Sequence, residues 1–312
     1  MSANAPDSRA PLLVWSALAI VYVVWGSTYL GIRISIETMP PLLSGALRFV
    51  TAALLLGGFL MIRKGWAPFR MSWRQFGGAG LVGLLLLTGG NGMVAVAEQH
   101  ISTGLAALLV AAVPLWLVVF RIVVRDRPAV LTVAGVLVGL VGVAALSLNG
   151  GGESASTTGV VVIMLASLSW SIGSFLAARI PMPDNVWAAS TVQMLVGGLG
   201  LLVVGPSIGE RLDLAAISGR SWMALVYLVL VGSLVGFTAY TWLLGNAPIS
   251  LVSTYAYVNP AVAVLLGMLV LNEQVTTQMI LGGLVILAGV ALVVSTERRA
   301  KSKLPVPEEV AV

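Results

Sequence analysis

Few side chains in this sequence could carry out chemistry, and two of them are charges in or beside long apolar stretches. Arg48 lies inside the apolar run that begins at Pro41, and Glu98 ends a later run. An arginine at the centre of a membrane helix costs about 2.5–3.5 kcal/mol, so it needs a partner. These charges could bind a solute, gate a path or couple a proton. Alternatively, Arg48 could tie helices together or snorkel to the surface, and Glu98 could be a solvated cap.

Helical spacing gives both charges neighbours. Ser44, Arg48 and Thr51 lie at i, i + 4 and i + 7, so they share one helical face and predict that Arg48 points into the protein. Asn91 precedes Glu98 by seven residues, two helical turns, and should lie on the same face. We therefore expect Arg48 and Asn91 to contact a solute and Glu98 to act in gating or coupling.

Aromatic side chains form a second candidate surface. Tyr22, Trp25 and Tyr29 recur at helical spacing in the first apolar span, and Trp170 takes the matching place in the sixth. Trp and Tyr commonly form belts at the two membrane surfaces, but Trp25 and Trp170 fall nearer the middle of their spans. This depth favours the lining of a cavity for an amphipathic solute.

Two prolines inside apolar spans, Pro114 and Pro260, are predicted to kink or loosen their helices. Proline has no backbone N–H, so the carbonyl four residues earlier loses its partner and must be satisfied by protein or a cavity. Tyr255, Tyr257 and Asn259 stand beside Pro260 and supply donors and acceptors. The eight residues predicted to bind substrate are Trp25, Tyr29, Arg48, Asn91, Trp170, Tyr255, Tyr257 and Asn259.

The inventory of reactive side chains argues against most catalytic and metal sites. Cysteine is absent and His100 is the single histidine, which excludes disulfides and thiolate or His-cluster metal centres, and no cofactor is expected. A membrane-embedded enzyme acting on lipids or lipid-linked groups stays open as an alternative, although bases and nucleophiles are few. A channel is a third hypothesis, without a charged filter to support it. No Walker A pattern occurs, so transport would use an ion or solute gradient.

Long apolar helices must position these residues. Of the 312 residues, 58% are hydrophobic and 9% are charged, against about 25% charged in an ordinary soluble domain. The mean hydropathy is +1.01. Apolar runs of about 20 residues, enough to cross about 30 Å of hydrocarbon, recur along the chain and predict an all-α integral membrane protein in a lipid bilayer. The ten predicted spans are 12–32, 41–62, 76–97, 102–124, 129–148, 158–178, 185–205, 221–244, 249–271 and 277–295.

Lysine and arginine are distributed unevenly between the connecting loops. Ten spans place both ends on one side of the membrane, and thirteen of the seventeen Lys and Arg residues share that side, against three on the other. Since cytoplasmic loops carry the Lys/Arg excess, the tails 1–11 and 296–312 should both be cytoplasmic. Topology then explains the net charge of +5, and nucleic-acid binding is not expected.

The second half of the chain repeats the first. Stretches 135–144 and 282–291 match at seven of ten positions, and Pro114 corresponds to Pro260. The halves 12–148 and 158–295 hold five spans each, an odd number, so they form an inverted repeat joined by an external linker at 149–157. Gly135-x-x-x-Gly139 and the glycines of the tenth span suit close helix contact, and either a monomer or a homodimer is expected.

Short motifs are spread through both repeats. They are Trp25-Gly-Ser-Thr-Tyr29, Leu47-Arg-Phe49, Gly89-Gly-Asn-Gly-Met93, Val96-Ala-Glu98, Tyr255-Ala-Tyr-Val-Asn-Pro260 and Leu271-Asn-Glu273. Together with the proline-containing fourth and ninth spans, they resemble the drug/metabolite transporter superfamily, specifically its ten-helix members built from two EamA domains. The resemblance covers nearly the whole chain and implies carrier-mediated export across the bacterial inner membrane.

The resemblance does not name a substrate, because relatives carry amino acids, sugar phosphates, nucleotide sugars or cationic drugs. Two departures from it matter. Residues 12–32 contain no acid, whereas small multidrug-resistance relatives place a proton-coupling glutamate in the first helix. The second repeat has Glu273, expected to cap a helix end, where the first has Arg125-Asp-Arg127. The leading hypothesis is a secondary transporter that exports amino acids or other small amphipathic metabolites or drugs by alternating access.

Overall fold

The computed structural model describes residues 9–125, 129–149 and 156–302, and these form ten helices. Most of the predicted linker at 149–157 and most of both predicted tails lie outside the described residues. The helices are α1 (Arg9–Ser35), α2 (Pro41–Lys64), α3 (Trp73–Ala97), α4 (Thr103–Val123), α5 (Val130–Asn149), α6 (Thr157–Ala177), α7 (Val186–Ser207), α8 (Gly219–Asn246), α9 (Ile249–Val252 and Tyr255–Leu271) and α10 (Thr277–Ser302).

These helices give the all-helical membrane architecture that the hydropathy predicts. Eight are long and apolar enough to cross a bilayer, and the shorter apolar stretches Val130–Ala145 and Val258–Leu271 belong to α5 and α9. Large apolar side chains such as Leu54, Ile62 and Leu137 lie exposed on the outside of the bundle. Lipid is the environment in which such a surface is stable.

Capping side chains mark where several helices begin. Ser72 and Gln75 form a reciprocal capping box at the start of α3, while Ser102 accepts a hydrogen bond from the Leu105 nitrogen at the start of α4. Such caps satisfy backbone N–H groups that have no partner inside the helix. Ser156, Asn185 and Ser218 cap α6, α7 and α8 in the same way.

Helix packing is symmetric between the two repeats. α2 packs along α7 and α5 along α10, so each of these helices meets its own counterpart. α1 packs on α9 as α6 packs on α4, and α3 packs on α6 as α8 packs on α1. The chain is thus an intertwined pair of inverted five-helix repeats.

The symmetry extends to irregularities inside the helices. π-helical segments interrupt α3 at Leu84–Gly92 and α8 at Leu228–Phe237, which are counterparts. The breaks near the prolines are not equivalent. α4 is interrupted between Val110 and Val113, directly before Pro114, whereas α9 is interrupted between Val252 and Tyr255 and then runs as helix through Pro260.

The glycines of α5 and α10 pack against each other within one chain. A Cβ added at Gly289 would lie 2.4 Å from the Gly139 nitrogen and 2.7 Å from the Gly135 carbonyl oxygen. The backbones of α5 and α10 can approach this closely only because these glycines have no side chains. A hydrogen bond of 2.8 Å between the Thr132 and Thr296 hydroxyls joins the same two helices.

Candidate functional site

A narrow cavity lies where the two repeats meet, with about 50 Å³ of free space that a water-sized sphere can occupy. Helices α1, α2, α3, α4, α6, α8 and α9 contribute to its wall. Seven of the eight predicted substrate-binding residues line it, namely Trp25, Tyr29, Arg48, Asn91, Trp170, Tyr255 and Asn259. The side chain of Tyr257 lies outside the described part of the structure. Residues far apart in sequence therefore converge, and their role in binding stays a prediction.

Four aromatic rings from four helices pack together beside the cavity, and three of them, Trp25, Trp170 and Tyr255, line it. The ring centroid of Trp25 lies 5.3 Å from that of Trp170, 4.6 Å from that of Tyr240 and 5.6 Å from that of Tyr255. The Trp170 indole N–H donates to the Tyr240 hydroxyl at 3.2 Å. We call these four residues the aromatic wall. Its edge-on and tilted contacts fix the rings in place and leave faces against which an apolar group could pack.

Arg48 is buried in the cavity wall and hydrogen-bonds only to neutral groups among the described residues. Its Nε donates to the Ser233 hydroxyl at 2.9 Å and its Nη1 donates to the Asn91 amide oxygen at 3.2 Å. Its guanidinium carbon also lies 4.7 Å from the centroid of the Phe49 ring. Asn91 and Ser233 lie in the two π-helical segments, so the irregular turns of both repeats present acceptors to one cation.

The prediction that Ser44, Arg48 and Thr51 share one face pointing into the protein holds for two of these three residues. Ser44 and Arg48 are each 3% exposed, but Thr51 is exposed. One turn further along the same helix, Leu55 is also exposed and lines an apolar groove with residues of α1, α7 and α8. Because both side chains are exposed, this face of α2 is not covered by the described helices at Thr51 and Leu55.

Asn259 joins α9 to α1. With its amide nitrogen directed at the two nearest carbonyl oxygens, it donates to Tyr22 at 3.0 Å and Tyr255 at 3.2 Å. The Tyr22 hydroxyl shares a short hydrogen bond with the Thr254 hydroxyl, next to the break in α9. The polar groups beside Pro260 therefore bind helices together as well as facing the cavity.

Glu98 lies directly after the end of α3 and is fully buried. Neither of its carboxylate oxygens has a hydrogen-bond partner among the described residues. Arg33 donates instead to the Glu98 backbone carbonyl. Burial raises the pKa of the Glu98 carboxyl well above its usual range, the Arg33 charge opposes this and the Glu273 charge adds to it.

Glu98 is not part of the cavity wall that contains Asn91, although the two residues lie two turns apart on the same helix. Its neighbour Gln99 lines a separate polar depression with Arg33, Glu37 and Glu273. Glu98 therefore lies between the cavity region and this depression at the end of the bundle.

Two glutamates from the second repeat cap helices of the first. The Glu273 carboxylate accepts from the Thr103 nitrogen at 2.9 Å and the Thr103 hydroxyl at 2.7 Å, which confirms the predicted capping role. The Glu210 carboxylate accepts from the Leu42 and Leu43 nitrogens at 3.0 and 2.9 Å. Acids at helix N-termini are favourable because of the positive end of the helix dipole. The cap at Glu210 was not predicted from the sequence.

Sequence reasoning also missed Tyr240 and Ser233. Tyr240 is 2% exposed and contacts three other aromatic rings. The argument from depth that selected Trp25 and Trp170 applies equally to Tyr240, so this signal was present. Ser233 gave no comparable signal, because its position against Arg48 depends on the π-helical turns around it.

Comparisons with known proteins agree with this architecture. The model of the EamA-like transporter family matches the chain twice, over residues 13–148 and 157–295. An inner membrane transporter of Escherichia coli K12, YedA, whose function is uncharacterized, is 40% identical over 261 residues, which are 83% of each chain. The uncharacterized transporter YvbV of Bacillus subtilis is 24% identical over 95% of each chain.

The fold also matches a solved structure. A crystal structure that is 21% identical in sequence superposes with a TM-score of 0.66, covering 94% of this chain and 100% of its own. At that identity the likeness concerns the fold alone. The two family matches extend over both repeats, and the chain therefore belongs to the EamA-like transporter family.

Proposed function

We propose that this membrane transporter is a secondary carrier that exports small amphipathic metabolites by alternating access. The observation that carries the proposal is the cavity at the interface of the inverted repeats, to which helices of both repeats contribute. Secondary transporters of this architecture hold their substrates near the midplane between the repeats. The relatives named as transporters support the coarser part of this function.

The chemistry of the cavity supports an amphipathic solute. The faces of Trp25 and Trp170 suit an apolar or aromatic group, while Asn91 and Asn259 offer neutral hydrogen-bonding groups. Such sites are mostly apolar with a few placed polar groups that orient the ligand. Amino acids and similar metabolites have this combination of parts.

The narrowness of the cavity supports a mechanism in which helices move. Only about 50 Å³ is open to the centre of a water-sized sphere, which supports a closed state whose helices must separate for a solute to pass. The π-helical segments of α3 and α8 and the breaks in α4 and α9 border this region and are places where a helix can bend. We propose that these irregular turns let each repeat rock against the other.

We propose Glu98 as a gating or coupling residue of this carrier. A buried carboxylate without a hydrogen-bond donor is stable only when it is neutral or when a cation approaches it. Its position between the cavity region and the polar depression would let it exchange a proton as the path opens and closes. Glu98 follows the third helix, so its proposed role differs from that of the proton-coupling glutamate in the first helix of small multidrug-resistance relatives.

We further propose that the repeats span 12–148 and 158–295, with the linker at 149–157 outside the cell and both tails in the cytoplasm. The charge asymmetry of the loops supports this orientation. Single cysteines placed at Ser154 and Ser302 of this cysteine-free chain are expected to differ on intact cells, with an impermeant thiol reagent labelling the first only. Labelling at Ser302 without labelling at Ser154 would show the opposite orientation.

Purified protein in liposomes tests the carrier against its alternatives. Saturable flux that is accelerated by solute on the far side is expected of a carrier. Linear conductance without saturation would indicate a channel, and a chemical change in an added lipid-linked substrate would indicate an enzyme. No comparison supports the enzyme alternative.

A further inference from the structure

The cavity carries a single fixed charge. Among its described lining residues, Arg48 is the only Asp, Glu, Lys, Arg or His side chain. The groups that line the rest of it are aromatic rings, amides, hydroxyls and aliphatic chains. The empty site therefore carries one positive charge, that of Arg48.

The charge of Arg48 is solvated incompletely by the protein. A guanidinium has five N–H donors, and its hydrogen bonds to Ser233 and Asn91 use acceptors that carry no charge. No carboxylate oxygen lies within ion-pair distance of it among the described residues. Because a buried cation without a counter-ion is costly, the empty site is less stable than one that holds an anion.

The two neutral acceptors also fix the direction of the guanidinium. Ser233 holds its Nε edge and Asn91 holds its Nη1, while a Cβ added at Gly232 would lie 2.9 Å from its Nη2. The group is thus held between α2, α3 and α8 and still lines the cavity. A cation whose only role was to tie helices together would not need to face an open space.

A carboxylate, which carries one negative charge shared by two coplanar oxygens, matches this site. A carboxylate can accept two parallel N–H bonds from a guanidinium. A phosphate monoester carries about −1.5 to −2 charges at neutral pH and would be only partly balanced by one arginine. A cationic drug would be repelled.

We propose that the transported metabolites carry one carboxylate, which pairs with Arg48, and an apolar or aromatic body that packs on the aromatic wall. This inference rests on the proposed carrier function and narrows it to monocarboxylates, including amino acids. It excludes sugar phosphates and permanently cationic solutes as preferred substrates.

Matched acids and amides test the carboxylate directly. The probes are L-phenylalanine with L-phenylalaninamide, L-leucine with L-leucinamide, and indole-3-acetate with indole-3-acetamide. Each ligand is titrated against the purified wild-type protein while its unfolding temperature is followed, because a ligand that binds the native state raises it. At least one acid is expected to bind about 10- to 100-fold more tightly than its amide, the range expected for a charge-assisted pair.

Variants then assign the preference to Arg48. Arg48→Gln should remove the acid preference, and Arg48→Lys, which keeps a charge but not the planar fork, should retain part of it. Arg220→Gln is the matched control, since Arg220 is half exposed in a surface ion pair with Glu37 and should leave the preference unchanged. If Arg48→Gln does not fold, the wild-type and Arg48→Lys titrations still decide the question.

Equal binding of acids and amides, or an acid preference that survives in Arg48→Gln, would overturn the inference. Counterflow in proteoliposomes separates this outcome from failure of the carrier proposal. Saturable counterflow of a neutral or cationic solute, without carboxylate binding, would refute the inference and leave a carrier. Absence of counterflow for every solute would refute both.

Discussion

Replacing Gly289 with valine is expected to destabilise the folded protein strongly. The new Cβ would fall 2.4 Å from the Gly139 nitrogen and 2.6 Å from its Cα, and neither of these backbone atoms can turn away as a side chain can. α5 and α10 would have to separate along the surface where each packs on its counterpart. The expected cost exceeds about 2 kcal/mol, in the upper range for overpacked cores.

The unfolding temperature of the purified variant, followed by the loss of monodisperse protein on heating, measures this effect. Gly58→Val is the matched control, because it adds the same side chain in a helix where a Cβ would meet nothing within 4 Å. An unchanged unfolding temperature for Gly289→Val would mean that α5 and α10 do not approach as described.

Trp170→Ala is expected to lower transport at least about tenfold at an unchanged protein level. The Trp170 ring contacts Trp25 of the first repeat and Tyr240 of α8 in its own repeat. Its indole N–H also donates a hydrogen bond to the Tyr240 hydroxyl. Truncation removes a face of the cavity and leaves that hydroxyl without this donor. Large aromatic side chains in buried binding surfaces commonly contribute more than the 1.4 kcal/mol that a tenfold change requires.

Flux of a transported solute into proteoliposomes, normalised to the amount of reconstituted protein, measures the loss. Trp15→Ala is the matched control, since Trp15 lies on α1 with 54% of its surface exposed outside the bundle. Equal flux through both variants would place Trp170 outside the transport site.

The architecture could be predicted from sequence because lipid imposes simple rules on it. Apolar runs of span length, the bias of Lys and Arg between loops and an odd number of spans in each half follow from the thickness and polarity of the bilayer. Each predicted span overlaps one helix, although the ends differ, as at α3, which begins at Trp73 instead of residue 76.

The details of the site were less predictable because they depend on irregular backbone. Regular helical periodicity predicted that Thr51 faces the interior with Arg48, but Thr51 is exposed because no other described helix covers it. The π-helical turn that brings Ser233 to Arg48 has no signature in residue spacing. The burial of Glu98 likewise follows from how the helix ends pack, which its position after an apolar span does not reveal.

A single cysteine at Val94 tests the alternating-access account most directly. Val94 lines the cavity, is 8% exposed and stands in a chain without cysteine, so an impermeant thiol reagent reports access to this position alone. The account predicts that the reagent reacts from either side of oriented proteoliposomes and that a saturating transported solute slows both reactions. Gln99→Cys, at an exposed position just beyond the end of α3, should react from one side without protection. Reaction at Val94→Cys from one side only, or at a rate that the solute does not change, would contradict the account.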